Sequence, residues 1–116
     1  MGSLLIARCT TCGYENSDLS YGVSMSEELN ENMELPFYVP CYNKRSRKVS
    51  SKDIFSKARE NKNIVFYSDD GACKNKIIHN RSPEERSFGP EINDTENYCP
   101  MCENFTLQFA FFASFD

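Results

Sequence analysis

The chain has 116 residues, a net charge of −4 and a 13% aromatic share, with nine Phe, six Tyr and no Trp. That length is one domain's worth and buries roughly two-thirds of its unfolded surface. The acidic balance speaks against a general nucleic-acid binder, whose affinity comes from a basic surface, and no stretch reaches the roughly 18 apolar residues of a membrane span.

Taken in chain order, residues 3–8 read as a strand entering Cys9-Thr-Thr-Cys12-Gly13. Gly13 fits a turn that needs positive φ. The N-terminal apolar run is too short for a secretory leader and lacks its basic start, so a cytoplasmic location is expected. Residues 19–25 predict a short strand. Met25, Leu29 and Met33 recur at helical spacing, and Ser24 with Glu27 makes a capping box. Pro36 ends any helix there.

Residues 37–42 are apolar and extended, and Pro40 predicts an edge or irregular position for them. Lys44-Arg45-Ser46-Arg47-Lys48 reads as a solvated loop or hairpin tip. Residues 51–61 are the best helix candidate, capped by Ser50 or Ser51, with Ile54, Phe55 and Ala58 on one face. Ile64–Tyr67 predicts a strand and Asp69-Asp70-Gly71 a turn. Residues 75–79 predict another short strand, and the polar stretch 80–97 an exposed loop. The last run alternates, so Phe105, Leu107, Phe109, Phe111, Ala113 and Phe115 are expected on the core face of a long strand.

The charge is segregated. Residues 13–43 carry six acidic and no basic side chains, whereas 44–62 carry eight basic and two acidic ones. A solvated face is the simple reading. The acidic stretch, with Asp18, Glu27, Glu28, Glu31 and Glu34, would suit a basic protein partner. Lys44, Arg45, Arg47 and Lys48, preceded by Phe37, Tyr38 and Tyr42, are the candidate nucleic-acid contacts, because bases stack on aromatic rings beside cations.

Cys9, Cys12, Cys99 and Cys102 carry the chemistry. A two-residue spacer lets both sulfurs of a turn reach one ion, and zinc takes four thiolates tetrahedrally. Eighty-six residues separate Cys12 from Cys99, but closing a longer loop adds cost only logarithmically. The pattern Cys-x-x-Cys-Gly with a later Cys-Pro-x-Cys resembles the two knuckles of zinc-ribbon and rubredoxin-like proteins. The match covers residues 9–13 and 99–102 with their flanking strands. That resemblance implies a structural metal. Many such knuckles carry Gly after the last Cys; here Glu103-Asn104 follows, so the left-handed turn residue is expected to shift to Asn104.

Alternatives remain. Iron would use the same four thiolates. A disulfide within each CxxC suits an oxidising compartment. A thioredoxin-like dithiol needs its CxxC at a helix start, and Cys-Pro-Met-Cys precedes a strand. A zinc deaminase needs His-x-Glu upstream, whereas the only His, His79, is followed by Asn80 and Arg81. Cys41 and Cys73 read as buried thiols. No nucleophile–base–orienter set and no Gly-rich phosphate loop is legible.

The expectation is one β-rich α+β domain over residues 1–116. Its zinc-ribbon core pairs the N- and C-terminal strands antiparallel, and residues 13–98 are inserted between the knuckles. The functional expectation is a non-enzymatic zinc protein acting as a protein-binding adaptor. The alternatives are a nucleic-acid-binding ribbon, or an iron or thiol redox protein.

Overall fold

The computed structural model describes residues 2–23, 35–74 and 92–115. They form seven strands: β1 (Gly2–Cys9), β2 (Glu15–Val23), β3 (Phe37–Asn43), β4 (Val49–Asp53), β5 (Ile64–Phe66), β6 (Asn97–Cys99) and β7 (Asn104–Phe115). All pairs are antiparallel, and the spatial order is β4-β3-β2-β1-β7-β6, with β5 on β3. The sheet curls into a half-barrel. Its core holds Leu5, Leu19, Val39, Phe66, Tyr67 and Leu107.

β1 lies between β2 and β7. Leu5, Ala7 and Cys9 alternate inward, while Arg8 faces solvent beside Glu15. The register of β1 shifts twice: between Leu4 and Leu5 against β7, and between Leu5 and Ala7 against β2. Such bulges increase local twist and bend a sheet. The first leaves Phe112 without an opposite residue, since Leu4 faces Ala113 and Leu5 faces Phe111.

The α+β expectation is overturned, because the described residues contain two short 3-10 turns and no α-helix. The helix expected over 51–61 opens instead as strand, since β4 runs to Asp53. Ser50, Ser51 and Lys52 pair with Cys41, Pro40 and Val39, and a helix starting there would remove that ladder. Asp53 then closes the strand, its carboxylate accepting the Phe37 and Phe55 amides at 3.1 and 3.0 Å. The cap is Ser56, whose hydroxyl accepts the Ala58 amide before a single 3-10 turn over Lys57–Glu60.

β3 is also not an edge strand. It pairs with β4 on one side and with β2 and β5 on the other. Pro40 fits because its carbonyl, accepting the Tyr67 amide at 2.9 Å, faces the second side. On that side the β2 ladder ends at Tyr38 and the β5 ladder begins at Cys41. The missing N–H therefore falls in the gap between two short ladders.

The pairing of the terminal strands is as expected, from Gly2 opposite Phe115 to Cys9 opposite Leu107. The strands at 3–8 and 64–67 and the turn at 69–71 also form, and the strand expected at 19–25 begins earlier, at Glu15. The core face of β7 is narrower than its alternation implies. Leu107 and Phe109 are buried, whereas Phe105 and Phe111 are exposed. The loop expected over 80–97 is corrected at its described end: Ile92, Asn93 and Asn97 are buried, and Asn97 opens β6. The Phe109 amide donates to the Asp94 carbonyl, so this segment docks on β7. The helix signals at 24–34 and the strand at 75–79, with His79, lie outside the described residues.

Candidate metal centre

Two hairpins build the centre. The first knuckle is the turn between β1 and β2, and the second is the turn between β6 and β7. Pairing of β1 with β7 sets the two tips side by side, because the C-terminal end of β1 meets the N-terminal end of β7. Eighty-six residues of intervening chain therefore impose no distance between the two pairs of sulfurs.

The tips share one local geometry. The Gly13 amide donates to the Cys9 carbonyl at 3.1 Å, and the Glu103 amide donates to the Cys99 carbonyl at 2.8 Å. Gly13 has φ 78° and Glu103 has φ 59°. The left-handed residue thus directly follows the second Cys in both knuckles, and the expected shift to Asn104 does not occur. The turn is fixed by the position of the sulfurs, and Glu103 adopts a backbone that costs a non-glycine residue of the order of 1 kcal/mol.

Four sulfurs converge. Cys9 Sγ is 3.6 Å from Cys102 Sγ, Cys12 Sγ is 3.7 Å from Cys99 Sγ, and all four lie within 4.8 Å of one another. A tetrahedron with zinc–sulfur bonds of about 2.3 Å has edges of about 3.8 Å. Both cross-knuckle contacts match that edge and are far longer than a disulfide of about 2.05 Å. The amides of Thr11 and Cys12 point at Cys9 Sγ, at 3.4 and 3.5 Å, and Thr106 Oγ1 lies 3.2 Å from the same sulfur.

The thiols differ in their readiness to ionise. Burial raises Cys9, but the Thr106 hydroxyl and the amides of Cys12 and Thr11 outweigh it and bring that thiol down to about 6. Cys99 is pushed up to about 12, chiefly by burial. A Tyr14 backbone hydrogen bond draws Cys12 down, yet burial and the neighbouring Cys9 leave it raised. Without a cation, Cys9 ionises ahead of Cys12 and Cys99. Ionising those two beside it in so small a volume needs a positive charge at the centre.

An aromatic layer, not anticipated from the sequence, supports the second knuckle. Tyr67 is fully buried and donates its hydroxyl to the Tyr98 carbonyl at 2.6 Å. Its ring meets Phe109 at 5.0 Å and Tyr42 at 5.4 Å, and Tyr42 meets Tyr98 at 5.0 Å. Tyr14 anchors the first knuckle, its hydroxyl accepting the Val49 amide at 3.1 Å. Such supports are invisible in a pattern search because they are ordinary core residues. Buried Asn97, whose Nδ2 donates to the Asn93 carbonyl at 2.9 Å, was also missed. Its polar neighbours Asp94, Thr95 and Glu96 read as loop.

Cys41 and Cys73 are buried away from this cluster, as expected. Cys41 Sγ lies 3.6 Å from Ser50 Oγ, with burial holding its thiol up. Cys73 bridges to Asn97. Among the described residues, the grouping of Cys9, Cys12, Cys99 and Cys102 is the one able to hold a metal ion. Among the described residues, no helix is long and apolar enough to cross a membrane. No family model, curated protein or solved structure matches the chain; the four-cysteine cluster is compatible with a zinc ribbon, and that likeness rests on the cluster itself.

Proposed function

We propose that Cys9, Cys12, Cys99 and Cys102 bind one zinc ion and that the protein is a non-enzymatic binding module built on this structural metal. The observation that carries the reading is the near-tetrahedral convergence of four sulfurs from two hairpin tips. Four protein ligands fill a tetrahedral zinc and leave no open position for a substrate or water, which is the mark of a structural rather than a catalytic site. Iron would accept the same thiolates, so metal identity is the first thing to measure.

A protein-binding adaptor follows from the acidic stretch of 13–43, and exposed Met101 at the tip of the second knuckle would add an apolar contact for such a partner. Elemental analysis of the purified chain tests the metal assignment. One zinc per chain is expected, with a colourless protein; a red protein with one iron would replace zinc by iron. Cys12→Ser and Cys99→Ser should each lower the metal content sharply. A metal-free native protein, or full metal content in both variants, overturns the site.

A further inference from the structure

The cluster of cations at 44–48 is not a loose loop. It is the turn of the β3–β4 hairpin, closed by the Asn43 amide donating to the Lys48 carbonyl at 3.0 Å and the Arg47 amide donating to the Asn43 carbonyl at 2.8 Å. The Asn43 side-chain oxygen accepts the amides of Arg45 and Ser46 at 2.8 and 3.0 Å. The Lys44 amide donates to the Asn63 carbonyl at 2.7 Å, which ties the turn to the neighbouring segment. Lys44, Arg45, Arg47 and Lys48 are all exposed, and among the described residues none of their side chains has an ion-pair partner.

This turn faces the second knuckle across a groove of about 270 Å³ lined by Tyr42, Lys44, Arg47, Tyr98, Pro100 and Glu103. Tyr98 is half-buried, and its ring is held from two sides, by Tyr42 at 5.0 Å and by Phe105 at 5.5 Å. The groove thus joins a rigid aromatic wall to two cations and one carboxylate. Its volume lies just below the range of roughly 300–1,000 Å³ typical of small-molecule sites.

We propose that this groove binds one nucleotide of a single-stranded nucleic acid. The base stacks on Tyr98, the phosphodiester sits on Lys44 and Arg47, and Arg45 and Lys48 meet the flanking phosphates. The charges favour a strand over a free phosphomonoester. Lys44 and Arg47 against Glu103 leave a net single positive charge, which matches a phosphodiester and falls short of a dianionic monophosphate or phosphotyrosine. The acidic remainder of the chain keeps the footprint short. The inference goes beyond the protein-binding reading above and gives the proposed module a second, separate partner. It does not depend on which metal holds the knuckle.

The test is fluorescence anisotropy of the full chain, as purified, with a labelled single strand of about ten nucleotides. Three neutralised phosphates predict a loss of about twentyfold in affinity between about 50 and about 200 mM salt. The double variant Lys44→Gln with Arg47→Gln should lower the logarithmic salt slope by roughly a third, in keeping with one lost phosphate. Tyr98→Leu should weaken binding at least about fivefold, whereas Tyr98→Phe, which keeps the stacking face, should bind as the native chain does. Lys52→Gln, on the far end of β4, should change nothing. Metal content and circular dichroism of every variant separate a lost groove from a lost fold. Loss of strand binding in Tyr98→Leu or the double variant with metal and fold retained supports the proposal. A metal-free chain that still binds the strand overturns the metal assignment and leaves the groove standing. The proposal is overturned by absence of binding at low salt, by native affinity in both groove variants, or by tighter binding of a nucleoside monophosphate or a phosphotyrosine peptide than of the strand.

Discussion

Cys99 and Cys9 set the pH response of the proposed metal site from opposite directions. In the metal-free fold Cys99, raised to about 12, keeps its proton at neutral pH, so ligation must displace it. Metal binding therefore releases protons, and affinity falls as pH falls. Cys9, lowered to about 6, is already a thiolate at pH 7 and adds a further proton to displace only below that value. Zinc affinity measured by chelator competition should decline from pH 8 to 6 and decline more steeply below about 6. A flat profile across pH 5–8 contradicts this ordering. Thr106 acts through Cys9, since its hydroxyl lies 3.2 Å from that sulfur. Thr106→Val should weaken metal binding about tenfold, the low end for loss of a group that supports a ligand, with little change in the circular dichroism spectrum.

At the scale of elements, the two knuckles are equivalent turns made from unequal residues. A Cβ on Gly13 would meet nothing within 4 Å, so only its φ of 78° opposes a side chain. Gly13→Ala should cost about 1–2 kcal/mol in a denaturant melt. Full stability in that variant would show that the turn relaxes to negative φ. Both hairpin turns were legible from their CxxC spacers, and Gly13 marked the left-handed position of the first, whereas nothing local marked Glu103 for the second. The strand at 49–53 was not legible. Ser50, Ser51 and Lys52 are strand because Cys41, Pro40 and Val39 stand opposite them, and a helical pattern in Ile54, Phe55 and Ala58 says nothing about that pairing. Pro40 misled for the same reason. A proline is excluded from a strand interior only where its nitrogen faces a ladder, and that depends on where two other strands stop.

Across the whole molecule, the proposed metal closes the outer ends of two hairpins whose inner strands are already paired. Structural zinc contributes about 10–16 kcal/mol of apparent binding energy in small peptides, against about 5–15 kcal/mol for a typical domain's stability. Chelation should therefore lower the melting temperature and raise hydrogen exchange at residues 9–14 and 99–104. The amides of Leu5 and Ala7, at the centre of the β1–β7 pairing over buried Leu107 and Phe109, should stay protected longer. An unchanged melting curve after verified metal removal would refute a stabilising role for the ion.

The sequence by itself determined the ligand candidates, the terminal strands and the basic turn, because each is written within a few neighbouring residues. CxxC spacing is chain geometry, and alternation of apolar side chains is strand geometry. Only the tertiary structure decided that the chain is a curled sheet without an α-helix among its described residues. It alone brought Tyr42 from β3 against Tyr98 from β6 and set Lys44 and Arg47 across from the second knuckle. Those contacts follow from strand order, which is settled by burial and pairing over the whole sheet rather than by any local run.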